Sequence, residues 1–151
     1  MAGQVKWQRN FRLLLFRHGQ SEANLSQHSK VTGRASESIL THLGTQQAEK
    51  LGNYLDSTNT KLDFYFASTA ERAKQTALIA MSKTSWFDPA KLHTASDLEE
   101  IHMGDWVGQD KSIIYVEDTL KEIQKDPWQF AAPGGESQKD VASREALVPS
   151  F

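Results

Sequence analysis

Phe11-Arg12-Leu13-Leu14-Leu15-Phe16 runs without a turn signal into Arg17-His18-Gly19. A short, continuous apolar run suits a parallel strand buried on both faces, because a half-solvated strand would alternate polar with apolar residues. Arg17, His18 and Gly19 then fall at the strand's C-terminal end, where open α/β sheets bind their ligands.

Outward from that strand, Gly33, Arg34 and the residues to Ser38 read as a loop. Thr41 is placed to cap a helix on which Gly44, Ala48, Leu51 and Leu55 share one face. Asn59 and Thr60 mark a turn, and Leu62 to Ala67 is rich in strand formers. Ser68 and Glu71 have capping-box spacing and predict a helix with Ala70, Ala73, Ala77 and Ala80 along one side and Arg72 in its first turns. Asp110 is placed to cap a further helix, with Ile113, Val116, Leu120 and Ile123 on its buried side and Asp126-Pro127 ending it. Pro133-Gly134-Gly135 predicts a tight loop, after which Ser137 starts a last helix that Pro149 stops. Strands alternating with helices predict an α/β layered domain with a mostly parallel sheet, residues 1–151 forming one domain.

Composition narrows the function. The 151 residues are 38% hydrophobic and 24% charged, with a net charge of −2. These are ordinary values for a globular chain, and nothing points to nucleic acid or an anionic membrane as the partner. No cysteine occurs, which excludes disulfides, thiolate catalysis and cysteine-bound zinc and fits a reducing compartment. No apolar run suits a signal peptide or a membrane span, so the expected location is the cytoplasm. Neither H-x-x-x-H, H-E-x-x-H, an acidic calcium loop nor a P-loop is present. No metal and no cofactor are expected.

Arg17-His18-Gly19 places an imidazole beside a fixed positive charge, with glycine removing steric bulk. Neighbouring guanidinium disfavours the imidazolium form and keeps a ring nitrogen free to attack phosphorus. The planar fork of arginine matches phosphate oxygens. Ser21 and Asn24 add neutral polar groups a turn further on. As an isolated tripeptide, an Arg-His pair capping a core strand is the simpler reading.

Five blocks in order change that balance. Leu14-Leu15-Phe16-Arg17-His18-Gly19-Gln20-Ser21-Glu22-Ala23-Asn24 resembles the R-H-G-x-S-x-x-N opening of the histidine phosphatase superfamily, the phosphoglycerate-mutase-like proteins. Leu40-Thr41-His42-Leu43-Gly44, with Gln47-Ala48 and Leu51-Gly52, is similar to its L-T-x-x-G-x-x-Q-A-x-x-L-G helix. Ser68 with Arg72-Ala73 and Thr76-Ala77, the segment Leu98 to Trp106, and Pro133-Gly134-Gly135-Glu136-Ser137 resemble three further blocks. The resemblance implies a three-layer α/β/α sandwich and metal-free phosphomonoester hydrolysis of a phosphorylated small molecule. His18 would be the nucleophile that becomes phosphohistidine. Arg17 and Arg72 would grip the phosphoryl oxygens, with Asn24 as a lesser donor. Glu100, four residues before Gly104, would be the proton donor in preference to Glu99, while His102 is expected to pack.

Two departures bear on this expectation. Val107 stands where many members carry glutamate. The second pocket histidine, expected on a strand beyond the P-G-G-E-S block, has no counterpart before Phe151, so the chain is expected to lack the last strand and helix of the sandwich. Within the family, mutases usually show tryptophan where Ala23 stands and a tyrosine near Met103, which favours a phosphatase. The alternatives are phosphoglycerate-mutase-type transfer, or phosphate binding without turnover.

Overall fold

The computed structural model describes residues 12–26 and 29–145; Phe11, His28 and Pro149 lie outside them. Among these residues, besides three short 3-10 turns, the α-helices and strands are, in order, α1 (Glu22–Ser26), α2 (His42–Ser57), β1 (Tyr65–Ser68), α3 (Glu71–Ser82), β2 (Leu92–Ala95), α4 (Lys111–Ile114), α5 (Glu117–Lys125) and α6 (Gln138–Glu145). β1 and β2 pair in parallel, with Tyr65 opposite Leu92 and Ser68 opposite Ala95. α3 connects them, a right-sized crossover for a β-α-β unit, and the chain is an α/β structure.

Thr41 caps α2 as its sequence predicts, its hydroxyl oxygen accepting from the Gly44 N–H at 3.1 Å. The helix then packs through a stripe of small residues, Gly44, Ala48 and Gly52, all buried. At Gly44 a β-carbon would stand 2.0 Å from the Gln20 carbonyl oxygen, and at Gly52 it would stand 2.0 Å from that of Ala80. Hydrogen in place of a side chain therefore lets α2 lie against the His18 loop at one end and against α3 at the other.

Two apolar clusters form. Leu55, Tyr65, Ala80 and Met81, with Leu51, Leu62, Trp86, Phe87 and Leu92, join α2, α3 and the sheet. Val31, Trp106, Ile114 and Ala132, with Met103, Tyr115, Ile123 and Phe130, join the segments that flank the acidic stretch at 97–100.

Three expectations are corrected. Residues 12–16 form no strand, and Leu13 and Leu15 are 68% and 83% exposed. No neighbouring strand among the described residues pairs with them, and a strand exists only through such pairing. Ser68 does not cap α3. It is the last residue of β1, the cap position falls on Ala70, and Glu71 instead pairs with Lys74. The helix expected after Asp110 is two helices broken at Tyr115 and Val116. Asp110 does cap the first, but Ile113, Val116 and Leu120 are exposed while Ile114 and Ile123 face the core.

Candidate active site

Beyond Phe16 the chain passes across the start of α2 and the face of α3. The Gly19 N–H donates to Thr76 Oγ1 at 3.0 Å, that of Gln20 to Gln47 Oε1 at 2.8 Å, and that of Ser21 to Asn24 Oδ1 at 2.9 Å. The Glu22 and Ala23 amides reach Ile39 O and Ser38 Oγ. Five successive backbone donors are thus committed to protein acceptors. These five amides are therefore not free to form a backbone cradle for an anion beside His18.

The partners of the His18 ring fix its tautomer. A guanidinium has donors and no acceptor, and Arg72 Nε lies 3.1 Å from His18 Nε2. Nε2 therefore carries the lone pair. Nδ1 carries the proton and donates to the Gly19 carbonyl at 2.7 Å. Burial is the strongest influence on the ring and pushes its pKa below the usual 6.5. The bond to Gly19 O and the charge of Glu100 oppose this, while Arg72 and Arg17 push the same way, and the net direction is down.

Arg72 is buried in the first turn of α3 and uses three donors on three segments. Nε meets His18, Nη1 donates to Ala35 O at 2.7 Å, and Nη2 meets Glu100 Oε2 at 3.0 Å. The neighbouring Glu99 turns away, pairing with Arg34 at 3.0 Å and accepting from the Thr69 hydroxyl. Of the two acidic residues, Glu100 is the one brought to His18 and Arg72.

The acidic stretch is pinned to the Pro133–Ser137 loop. The Asp105 N–H donates to Pro133 O and the Glu136 N–H to His102 O, both at 2.8 Å. Gly104 has a φ of +50°, and a β-carbon there would stand 2.0 Å from Pro133 O, so the two segments meet backbone to backbone. Ser137 and Asp140 cap α6 reciprocally: the Asp140 N–H donates to Ser137 Oγ, and Asp140 Oδ2 accepts from Ser137 at 2.7 and 2.9 Å.

Arg17 is exposed and lines an open cavity of about 360 Å³ with His18, Gln47 and Thr76. Its guanidinium makes no ion pair among the described residues. Asn24 is exposed, and its carbonyl oxygen is occupied by Ser21 Oγ and N. Only its amide NH₂ is left to donate toward a phosphate. His102 is half-buried, with Nδ1 3.3 Å from Gly134 O.

Thr76, Arg34, Glu136 and Arg144 carry contacts that the sequence reading assigned to no role. Thr76 receives the Gly19 amide and donates to Arg72 O at 2.7 Å. Its position four residues after Arg72, on the same helical face, is the signal that would have found it. No comparable signal exists for Arg34, whose partners lie far off in the chain, or for the contacts of Arg144 with residues 97–100. Among the described residues no group of three or more metal-ligating side chains gathers, and no helix is long and apolar enough to cross a membrane.

The model of the histidine phosphatase superfamily (branch 1) matches residues 13–148. A 2,3-bisphosphoglycerate-dependent phosphoglycerate mutase of Methylorubrum populi is 33% identical over 138 residues, covering 87% of this chain and 61% of that protein. A mycobacterial glucosyl-3-phosphoglycerate phosphatase superposes with a TM-score of 0.70 at 26% identity, covering 87% of this chain and 58% of that one. The α-ribazole phosphatase of Shigella flexneri gives a TM-score of 0.67 at 28% identity, covering 87% and 62%. The chain thus spans about three fifths of the length of the curated relatives it matches.

Proposed function

Because the chain belongs to the histidine phosphatase superfamily, we propose that it hydrolyses phosphomonoesters of small molecules through a phosphohistidine at His18. The observation that carries this reading is the contact of one guanidinium, Arg72, with both the unprotonated Nε2 of His18 and the carboxylate of Glu100.

Arg72 serves as a placeholder for substrate. When a phosphate dianion enters, its oxygens take the Nε and Nη2 donors, while Nη1 stays anchored on Ala35 O. The exchange uncovers the Nε2 lone pair and releases Glu100 in one movement. Beside the dianion the freed carboxylate gains a proton, since like charges in contact favour the neutral acid. Nε2 then attacks phosphorus in line. The P–O bond to the leaving group breaks, and the Glu100 proton passes to the departing oxygen. In the second half-reaction Glu100 takes a proton from water as its oxygen attacks the phosphohistidine, which frees inorganic phosphate and restores the ring. Arg17 supplies further positive charge from the open side, and the Asn24 amide a weaker donor.

The test is hydrolysis of p-nitrophenyl phosphate by the purified chain, beside His18→Ala and with alkaline-quench trapping of phosphoprotein. Turnover and an acid-labile label that both vanish in His18→Ala are the expected outcome. Turnover that survives the substitution sinks the proposal. The similarity to phosphoglycerate mutases favours a second reading, in which the phosphoryl group passes to a phosphoglycerate instead of water. Labelled phosphate appearing in the acceptor, not free in solution, would select it.

A further inference from the structure

Arg144, in the last turn of α6, reaches back to the acidic stretch some 45 residues earlier. Its Nη2 donates to Glu99 O at 2.5 Å and to Glu100 O at 3.4 Å, and its Nη1 donates to Asp97 O. Its Nε sits 3.1 Å from Glu136 Oε1. Arg34 approaches the same stretch from the other side, with Nε 3.1 Å from Glu100 O, Nη1 on the Glu99 carboxylate and Nη2 on Glu136 Oε1 at 3.0 Å. Glu136 stands between the two guanidiniums, and its Oε2 accepts from the His102 N–H at 2.9 Å. Burial alone raises the Glu136 carboxyl, but the His102 amide, Arg144 and Arg34 together hold it below the ordinary value, so it stays charged between two cations.

Two arginines, Arg144 on three carbonyls of residues 97–100 and Arg34 on the Glu100 carbonyl and the Glu99 carboxylate, restrain backbone that forms no helix and no ladder at Glu99 and Glu100. The Glu100 side chain is otherwise 54% exposed, with the Arg72 contact alone to orient it. An exposed carboxylate on a free loop samples many rotamers, and a misplacement of about 1 Å costs on the order of 100-fold in rate. We propose that Arg144, locked by Glu136 and aided by Arg34, is a positioning residue that holds the 97–100 backbone so that Glu100 meets Arg72 and His18. This rests on the assignment of Glu100 as proton donor, but its structural half can be measured without any turnover.

The decisive readout is the His18 ring, which faces Arg17, Arg72 and Glu100. Its titration is followed by NMR in the full chain, in Glu100→Gln, in Arg144→Met and in the double variant. Glu100→Gln lowers the His18 midpoint in the parent chain, because it removes a negative charge held nearby. With Arg144→Met the same substitution moves the midpoint little, because Glu100 is no longer held there. An equal shift in both backgrounds overturns the proposal, whatever the activity. If Arg144→Met fails to fold, Glu136→Gln carries the same cycle. It keeps an acceptor for the His102 amide but removes the charge that locks both arginines.

Leaving-group dependence separates positioning from general damage. Nitrophenolate departs without a proton, whereas an alkoxide needs one. Arg144→Met is expected to slow hydrolysis of glycerol 2-phosphate by about 10- to 100-fold and that of p-nitrophenyl phosphate far less. Equal losses on the two substrates would mean a merely structural role. A chain that hydrolyses neither, yet loses the His18–Glu100 coupling in the variant, refutes the hydrolase reading and leaves the positioning contact standing.

Discussion

At His18 the two ring nitrogens face partners of opposite kind, a carbonyl that accepts and a guanidinium that donates. The carbonyl fixes the proton on Nδ1 and by itself raises the pKa, but burial, with Arg72 and Arg17, outweighs it and favours the neutral ring with Nε2 bare. The His18 titration midpoint in the folded chain is therefore expected below 6.5, and a midpoint above it in the ligand-free protein would contradict the site geometry. The sign for stability follows. Between the folded value and 6.5 the unfolded chain binds more protons, so the contribution of His18 is full above 6.5 and is lost as pH falls through the folded value. Thr76 is the other residue on which the loop depends. Thr76→Val conserves shape but strands the buried Gly19 N–H, which is expected to cost about 1–3 kcal/mol in urea unfolding. A loss no larger than that of an exposed Thr→Val change would show that water replaces the hydroxyl.

Among the elements, α2 is bound by the small-residue stripe that its sequence displays. Alanine favours a helix over glycine by about 1 kcal/mol. Gly52→Ala is nonetheless expected to destabilise by about 1–3 kcal/mol, because the added methyl would meet the Ala80 carbonyl oxygen of α3. A rise in thermal midpoint would mean that the α2–α3 contact yields easily. Helices with local signals were legible from the residues: the Thr41 cap of α2, and the Ser137 start of α6. That residues 12–16 form no strand was not, because a strand is defined by its neighbours and an apolar run carries no record of whether a partner is present. The capping spacing of Ser68 and Glu71 misled for a related reason. Pairing with β2 extends β1 through Ser68, and tertiary hydrogen bonding outweighs a local preference. Within the site, the family blocks named His18, Arg72 and Glu100 through local spacing. The Arg34–Glu136–Arg144 cluster joins the loop at Arg34 to the segment 136–144, 102 residues on from Arg34 to Glu136, and no short window contains it.

Across the whole molecule, apolar surface is divided unevenly. The core holds few large side chains, with Leu55 the one large apolar residue fully buried among those described, whereas Leu13, Leu15 and Phe16 are exposed within four residues. Contiguous exposed apolar surface binds hydrophobic dyes and promotes association. Leu13→Lys with Leu15→Lys is expected to lower anilinonaphthalene sulfonate fluorescence and self-association while shifting unfolding by no more than about 0.5 kcal/mol. A large loss of stability would instead show that these leucines pack in solution. Arg72 carries a different consequence, for the order in which the chain acquires its parts. Its three partners lie 54, 37 and 28 residues away along the chain. Each separation is a loop that must close before the guanidinium finds its acceptor, and such non-local closures are slow. Helix signal in a refolding experiment should therefore arrive before the His18 environment does. The polarised state of the His18 ring is thus a property of the folded chain, and a partly folded copy that lacks the Arg72 contacts lacks it too.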